Sequence, residues 1–99
     1  MDVHFTRIGL DFVWNTEKAV ANVQKHGIRF ESATFVFVES FVLIEDASVS
    51  GEQRDAVIGL TEDWSLLFVV SIVHQRDAIR IISARPATAQ QRRAYEDCE

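Results

Sequence analysis

The segment Leu66 to Val73 decides more than any other what this chain can fold into. Leu66, Phe68, Val70 and Ile72 alternate with Leu67, Val69 and Val73, and only Ser71 interrupts the apolar run. Successive side chains of a strand point to opposite faces of a sheet. A strand that is apolar on both faces must be shielded from water on both sides, at least in part, and so belongs inside a sheet with other elements packed on it. The run is far too short to cross a bilayer. Met1 to Asp11 carries His4, Arg7 and Asp11 and holds no apolar core of a secretory signal. A cytoplasmic protein that makes no membrane contact is the expectation.

The remaining elements follow from local signals. Residues 1–14 read as extended, with Phe5, Ile8, Leu10, Phe12 and Trp14 apolar. Asn15 is an N-cap residue, Glu17 suits the positive end of a helix dipole, and Gly27 is a left-handed stop, so a helix is predicted over Thr16–His26. A short helix is expected near Glu31–Val38, although the Phe- and Val-rich composition of Thr34–Ile44 favours strand, and a strand near Phe41–Glu45. Glu45 to Glu52 reads as a loop, Arg54–Leu60 as a strand, Glu62-Asp63 as a turn, Ser65–Val73 as the central strand, Gln75–Ala78 as a turn and Ile79–Arg85 as the last strand. Pro86 ends it, and Thr88 with Gln91 forms a capping box for a helix reaching about Asp97. The expected fold is α+β in one domain over residues 1–99: two N-terminal helices, an antiparallel sheet of three to five strands and a C-terminal helix. Four Gly and one Pro in 99 residues exclude a disordered or collagen-like chain.

Charge narrows the function. The net charge of -5 argues against generic nucleic-acid binding. Yet residues 74–95 carry Arg76, Arg80, Arg85, Arg92 and Arg93 against Asp77 alone. Guanidinium forks match phosphate and carboxylate geometry. No phosphate-binding glycine loop, dinucleotide fingerprint or nucleophile elbow occurs. The lone Cys98 forms no internal disulfide, and His4, His26 and His74 lack metal-ligand spacing, so neither a metal nor a cofactor is expected.

Two clusters remain. Lys25-His26-Gly27 places a cation and a group that titrates near neutrality at a helix end. These two residues equally well complement the helix dipole and nothing more. In Arg80-Ile81-Ile82-Ser83-Ala84-Arg85, regular alternation puts Arg80 with Ile82 and Ala84, and Arg85 on the opposite face with Ile79, Ile81 and Ser83. A bend at Pro86 is one way to bring Arg85 round to the Arg80 face. Arg54 opens the preceding strand. Each arginine either binds an anion, pairs with an acid such as Asp55 or Glu31, or snorkels to water.

These motifs, in this order, resemble the BrnT family of ribonuclease toxins from type II toxin–antitoxin systems. The likeness runs through Phe12-Val13-Trp14-Asn15, Asn22-x-x-Lys25-His26-Gly27 and Gly51-Glu52-Gln53-Arg54, then Ile82-Ser83-Ala84-Arg85-Pro86-Ala87-Thr88 and Arg92-Arg93. It departs at Val13, where an acid is usual, at Asp55-Ala56, and in the acidic tail Glu96 to Glu99. The resemblance implies a RelE-like fold and an endoribonuclease that cleaves RNA without metal and arrests translation. It also implies a BrnA-like antitoxin, a small DNA-binding protein through which alone this chain would reach DNA. On that reading Arg54, Arg80 and Arg85 hold the phosphate and its transition-state charge. Lys25 and His26 transfer protons or position the substrate, and Glu31 is a further base candidate. Arg76, Arg92 and Tyr95 contact RNA, unless Tyr95 serves to pack the helix. The alternative is a catalytically weak or inactive binding module that engages its antitoxin as an operon co-repressor. A third reading is an unrelated α+β domain.

Overall fold

The computed structural model of the protein describes residues 1–73 and 78–98. Of the expected turn at Gln75–Ala78, residues 75–77 lie outside the described residues, as does Arg76 with them.

The first surprise is in the extended N-terminal stretch, which is a hairpin. Strands β1 (Asp2–Arg7) and β2 (Leu10–Asn15) pair antiparallel from Asp2↔Asn15 to Arg7↔Leu10. The two turn residues, Ile8 and Gly9, have φ of 47° and 77°. Positive φ at both central positions is the geometry of a tight hairpin turn, normally written Asn-Gly.

Helix α1 (Thr16–His26) begins and ends as its sequence dictates. Asn15 Oδ1 accepts from the Lys18 amide at 3.1 Å, and Gly27, at φ 71°, returns its amide to the Val23 carbonyl. The segment expected as one short helix is a single α-turn, α2 (Phe30–Ala33), running into a 3-10 stretch, Thr34–Val38. The strands β3 (Leu43–Asp46), β4 (Asp55–Leu60), β5 (Leu66–Val73) and β6 (Ile79–Pro86) follow, then helix α3 (Ala89–Cys98). The capping box closes in both directions: the Gln91 amide donates to Thr88 Oγ1 at 3.1 Å, and the Thr88 amide to Gln91 Oε1 at 2.9 Å.

The sheet has six strands in the order β1-β2-β6-β5-β4-β3, and it is mixed, which corrects the expected antiparallel sheet of three to five strands. β2 pairs β6 in parallel, through Phe12↔Ile79 and Val13↔Arg80. Parallel neighbours need a long crossover, and here everything from α1 to β5 supplies it. β5 is interior, as its two-faced apolar pattern requires.

One sheet face is covered by the helical segments except near Ile44 and Val73, which are exposed. Phe12, Trp14, Val57, Leu67, Val69, Ile81 and Ala84 form a core with Phe30, Ala33 and Val36 from the helical segments, and Trp14 meets Phe30 edge-on at 5.8 Å. Gly59 lets the 3-10 stretch approach: a Cβ there would lie 2.9 Å from Val42 Cγ1 and 3.0 Å from Val36 Cγ1. The opposite face is covered at one end only. There Tyr95 of α3 joins Ile58 and Leu66, with Phe41, Leu43 and Phe68 around them. Beyond that cluster Val70 and Ile72 are half-buried.

Candidate functional site

The arginines share the second face, with Arg85 at the rim of the α3 cluster and Arg80 in the open part, and a register slip puts them there. Along β5–β6, Val70 faces Ser83 whereas Ser71 faces Ile81, so Ile82 is an extra residue, a β-bulge. Ile81 and Ala84 both point into the helix-covered core. Arg80, Ser83 and Arg85 therefore share the other face. This corrects the alternation that separated Arg80 from Arg85: the bulge at Ile82, not a bend at Pro86, aligns them. Arg54 precedes Asp55, which is paired with Ser71 of the covered face, so alternation places Arg54 with Ala56 on the arginine face.

Each of the three guanidinium groups has partners within the protein. Arg80 Nη2 lies 2.8 Å from Asp2 Oδ2, and its Nη1 3.4 Å from Oδ1. Hydrogen bonds from Arg80 hold the Asp2 carboxyl below the usual carboxylate range, and Asp2 in turn raises Arg80. Arg54 Nε pairs with Glu52 at 2.6 Å. The acids are thus Asp2 and Glu52, neither of them Asp55 or Glu31; Glu31 pairs with Arg29 at 3.3 Å. Arg85 has no carboxylate partner among the described residues. It stacks on Phe68, 4.1 Å from the ring centre, and donates to the Pro86 carbonyl and to Gln91 Oε1 at 3.1 Å. The capping glutamine of α3 thereby also anchors Arg85.

Lys25 and His26 form the last turn of α1. Lys25 is exposed and His26 half-buried. The motif that contains them has an architectural centre, Asn22. β2 leaves β6 after Arg80, so the β6 edge beyond it is open, and Asn22 fills the gap. Its Nδ2 donates to the Ala84 carbonyl at 2.8 Å and to the Ile28 carbonyl at 2.9 Å, and its Oδ1 accepts from the Ala84 amide at 3.1 Å. The two signature segments, Asn-x-x-Lys-His-Gly and Ile-Ser-Ala-Arg, are in this way one hydrogen-bonded unit.

Past Gly27 a cleft of about 410 Å³ opens over the end of the sheet, lined by Arg29, Ser32, Thr61, Pro86 and Arg92 among others. Arg92 of α3 belongs to this cleft, with Pro86. Tyr95 is 4% exposed and packs edge-on against Phe41 at 5.1 Å, so its ring holds α3 to the sheet. A basic residue that sequence reasoning passed over is Arg7. It lies over Phe35 at 3.6 Å and donates from Nε to Thr34 Oγ1 at 2.8 Å, which fastens the hairpin to the 3-10 stretch. Among the described residues no group of three or more His, Cys, Asp or Glu gathers that could hold a metal ion. No described helix is long and apolar enough to cross a membrane.

The mixed six-stranded sheet with its three helices is an arrangement already known. The fold is similar to the crystal structure of the Brucella abortus ribonuclease toxin BrnT, with a TM-score of 0.57 and 22% identity over 76% of this chain and 92% of that one. Residues 14–91 match the model of the family described as ribonuclease toxin, BrnT, of type II toxin-antitoxin system, and the chain belongs to that family. No curated protein sequence matches it. Membership in a type II family implies a cognate antitoxin.

Proposed function

We propose that this chain is an active endoribonuclease toxin, a single BrnT-like domain, that cleaves RNA with its own side chains and without a metal. The observation that carries this reading is the Ile82 bulge, which brings Arg80 and Arg85 to one open sheet face beside Arg54. Transesterification of RNA joins the 2′-oxygen to the neighbouring phosphorus and breaks the bond to O5′. The phosphorane gathers negative charge as it forms. Donors already in place around it are worth roughly 10²–10³-fold each in rate. The antitoxin silences the toxin by laying an acidic segment on the same arginines, and contact with DNA runs through the antitoxin.

The test is in-cell toxicity alongside folded yield for Arg80→Ala, Arg85→Ala and the double variant. Each single change should lower cleavage roughly 10²–10³-fold, with Lys restoring part of it. Cleavage should survive EDTA. Full toxicity in a folded double variant refutes the site.

The ion pairs at Arg54 and Arg80 favour a second reading, in which this copy has become a binding module for its antitoxin. A non-toxic wild type that still binds the antitoxin would establish it.

A further inference from the structure

The reaction also needs a group to move the proton, which guanidinium groups do not supply. Lys25 and His26 belong to the last turn of α1, past Asn22 at the open edge of β6. The sheet register supplies a different histidine. His4 pairs with Val13 across β1–β2, Val13 pairs with Arg80 across β2–β6, and Arg80 pairs with Ile72 across β5–β6. His4 and Arg80 therefore lie in one row on either side of Val13, two strand spacings or roughly 10 Å apart at the backbone.

The side chains confirm that both lie on the same face. Val3 and Phe5 turn toward the covered core, so Asp2 and His4 turn to the other side. From there Asp2 reaches over β2 to Arg80. Val13 beneath them is only 7% exposed. The Asp2 carboxylate also marks a spot. It is an anion held in the Arg80 fork, and its two oxygens occupy the place that two phosphate oxygens would take. Asp2 and His4 are alternate residues of one strand face, so a phosphate that displaces Asp2 from Arg80 arrives next to the imidazole.

We infer that His4 is the proton-transfer residue of this face, taking the 2′-hydroxyl proton of an RNA strand whose scissile phosphate sits on Arg80. The inference rests on the ribonuclease reading above. Neutral imidazole accepts the proton as the O2′–P bond forms. The imidazolium returns it to O5′ as the P–O5′ bond breaks, leaving a 2′,3′-cyclic phosphate and a free 5′-hydroxyl. Histidine is suited to both steps because its charge changes between pH 5 and 8. The charged groups on its face are Asp2 on its own strand, Asp11 on β2 and Arg80 on β6. β1 is an edge strand and His4 is exposed, so replacing it leaves the core untouched.

Two measurements on the full chain test the assignment. In the first, His4→Ala should lower kcat roughly 100-fold or more with little change in KM, flatten the pH profile between 5 and 8, and regain activity when free imidazole is added. Unchanged kcat in His4→Ala, or a loss that imidazole does not rescue, overturns it. A wild type that cleaves no RNA overturns the ribonuclease reading and the role of His4 with it. The second measurement needs no turnover. A 2′-O-methyl RNA tetranucleotide, which cannot be cleaved, should move the His4 ring resonances in the wild type and fail to do so in Arg80→Ala. Movement of the His26 ring alone assigns the chemistry to α1 and overturns the proposal, while cleavage by the same protein keeps the ribonuclease reading intact.

Discussion

Replacing Asp2 by Asn should tighten RNA binding. In the free protein Arg80 is committed to Asp2 through two contacts, at 2.8 and 3.4 Å, and a phosphate must displace that carboxylate before Arg80 can serve it. The pair is far from buried, with side-chain exposures of 31% for Arg80 and 44% for Asp2. Exposed pairs of this kind are screened by water and shift an equilibrium by roughly two- to fivefold. RNA affinity should therefore rise by about that factor in Asp2→Asn. The comparison is with Glu96→Gln, which removes the same charge at a remote exposed site in α3. Acid does not substitute for the mutation. The Asp2 carboxyl is held below its ordinary value, so the pair persists above pH 4 and dissolves only as pH falls through that lowered value. The assay is fluorescence anisotropy of a labelled 2′-O-methyl RNA at several salt concentrations. Equal affinity for Asp2→Asn and Glu96→Gln would show that Arg80 does not take the phosphate.

Three stability measurements by urea denaturation probe the scaffold. Asn22→Ala strands the Ala84 amide and carbonyl without a partner and should cost about 2–4 kcal/mol, lowering Tm by at least about 10 °C. Ser71 is fully buried with a hydroxyl that meets no partner among the described residues, so Ser71→Ala should stabilise by about 1 kcal/mol; a loss would reveal a hidden hydrogen bond. Ile8→Asn turns a β-branched residue at φ 47° into the preferred Asn-Gly turn and should add about 1 kcal/mol, and no gain would mean that the turn relaxes elsewhere.

What could be read from the sequence was what short-range forces decide. Asn15, Gly27 and the Thr88–Gln91 box set helix ends through contacts within four residues, and the structure has those ends. The two-faced apolar strand Leu66–Val73 put itself inside the sheet by hydrophobicity alone. Long-range pairing was out of reach. Nothing near Phe12 announces Ile79 as its partner, so the sixth strand and the parallel pair went unseen. Ile8-Gly9 hid the hairpin because Ile is a poor turn residue. At the site, the residue type of Arg80 and Arg85 was informative, but which face they share depends on one unpaired residue, Ile82, that no alternation rule can locate. Asp2 and Arg80 meet across 78 positions of chain, and His4 became visible only through that meeting.

The position of β6 also bears on when the arginine face can form. Among the last elements synthesised, this strand slides between β2 and β5 and carries two of the three arginines. A nascent chain that has emerged only as far as β5 has both flanks of the sheet but an empty slot between them, and neither Arg80 nor Arg85. Pairings of such large sequence separation close late and slowly. Assembly of the arginine face therefore waits until β6 has emerged, after every other strand of the sheet.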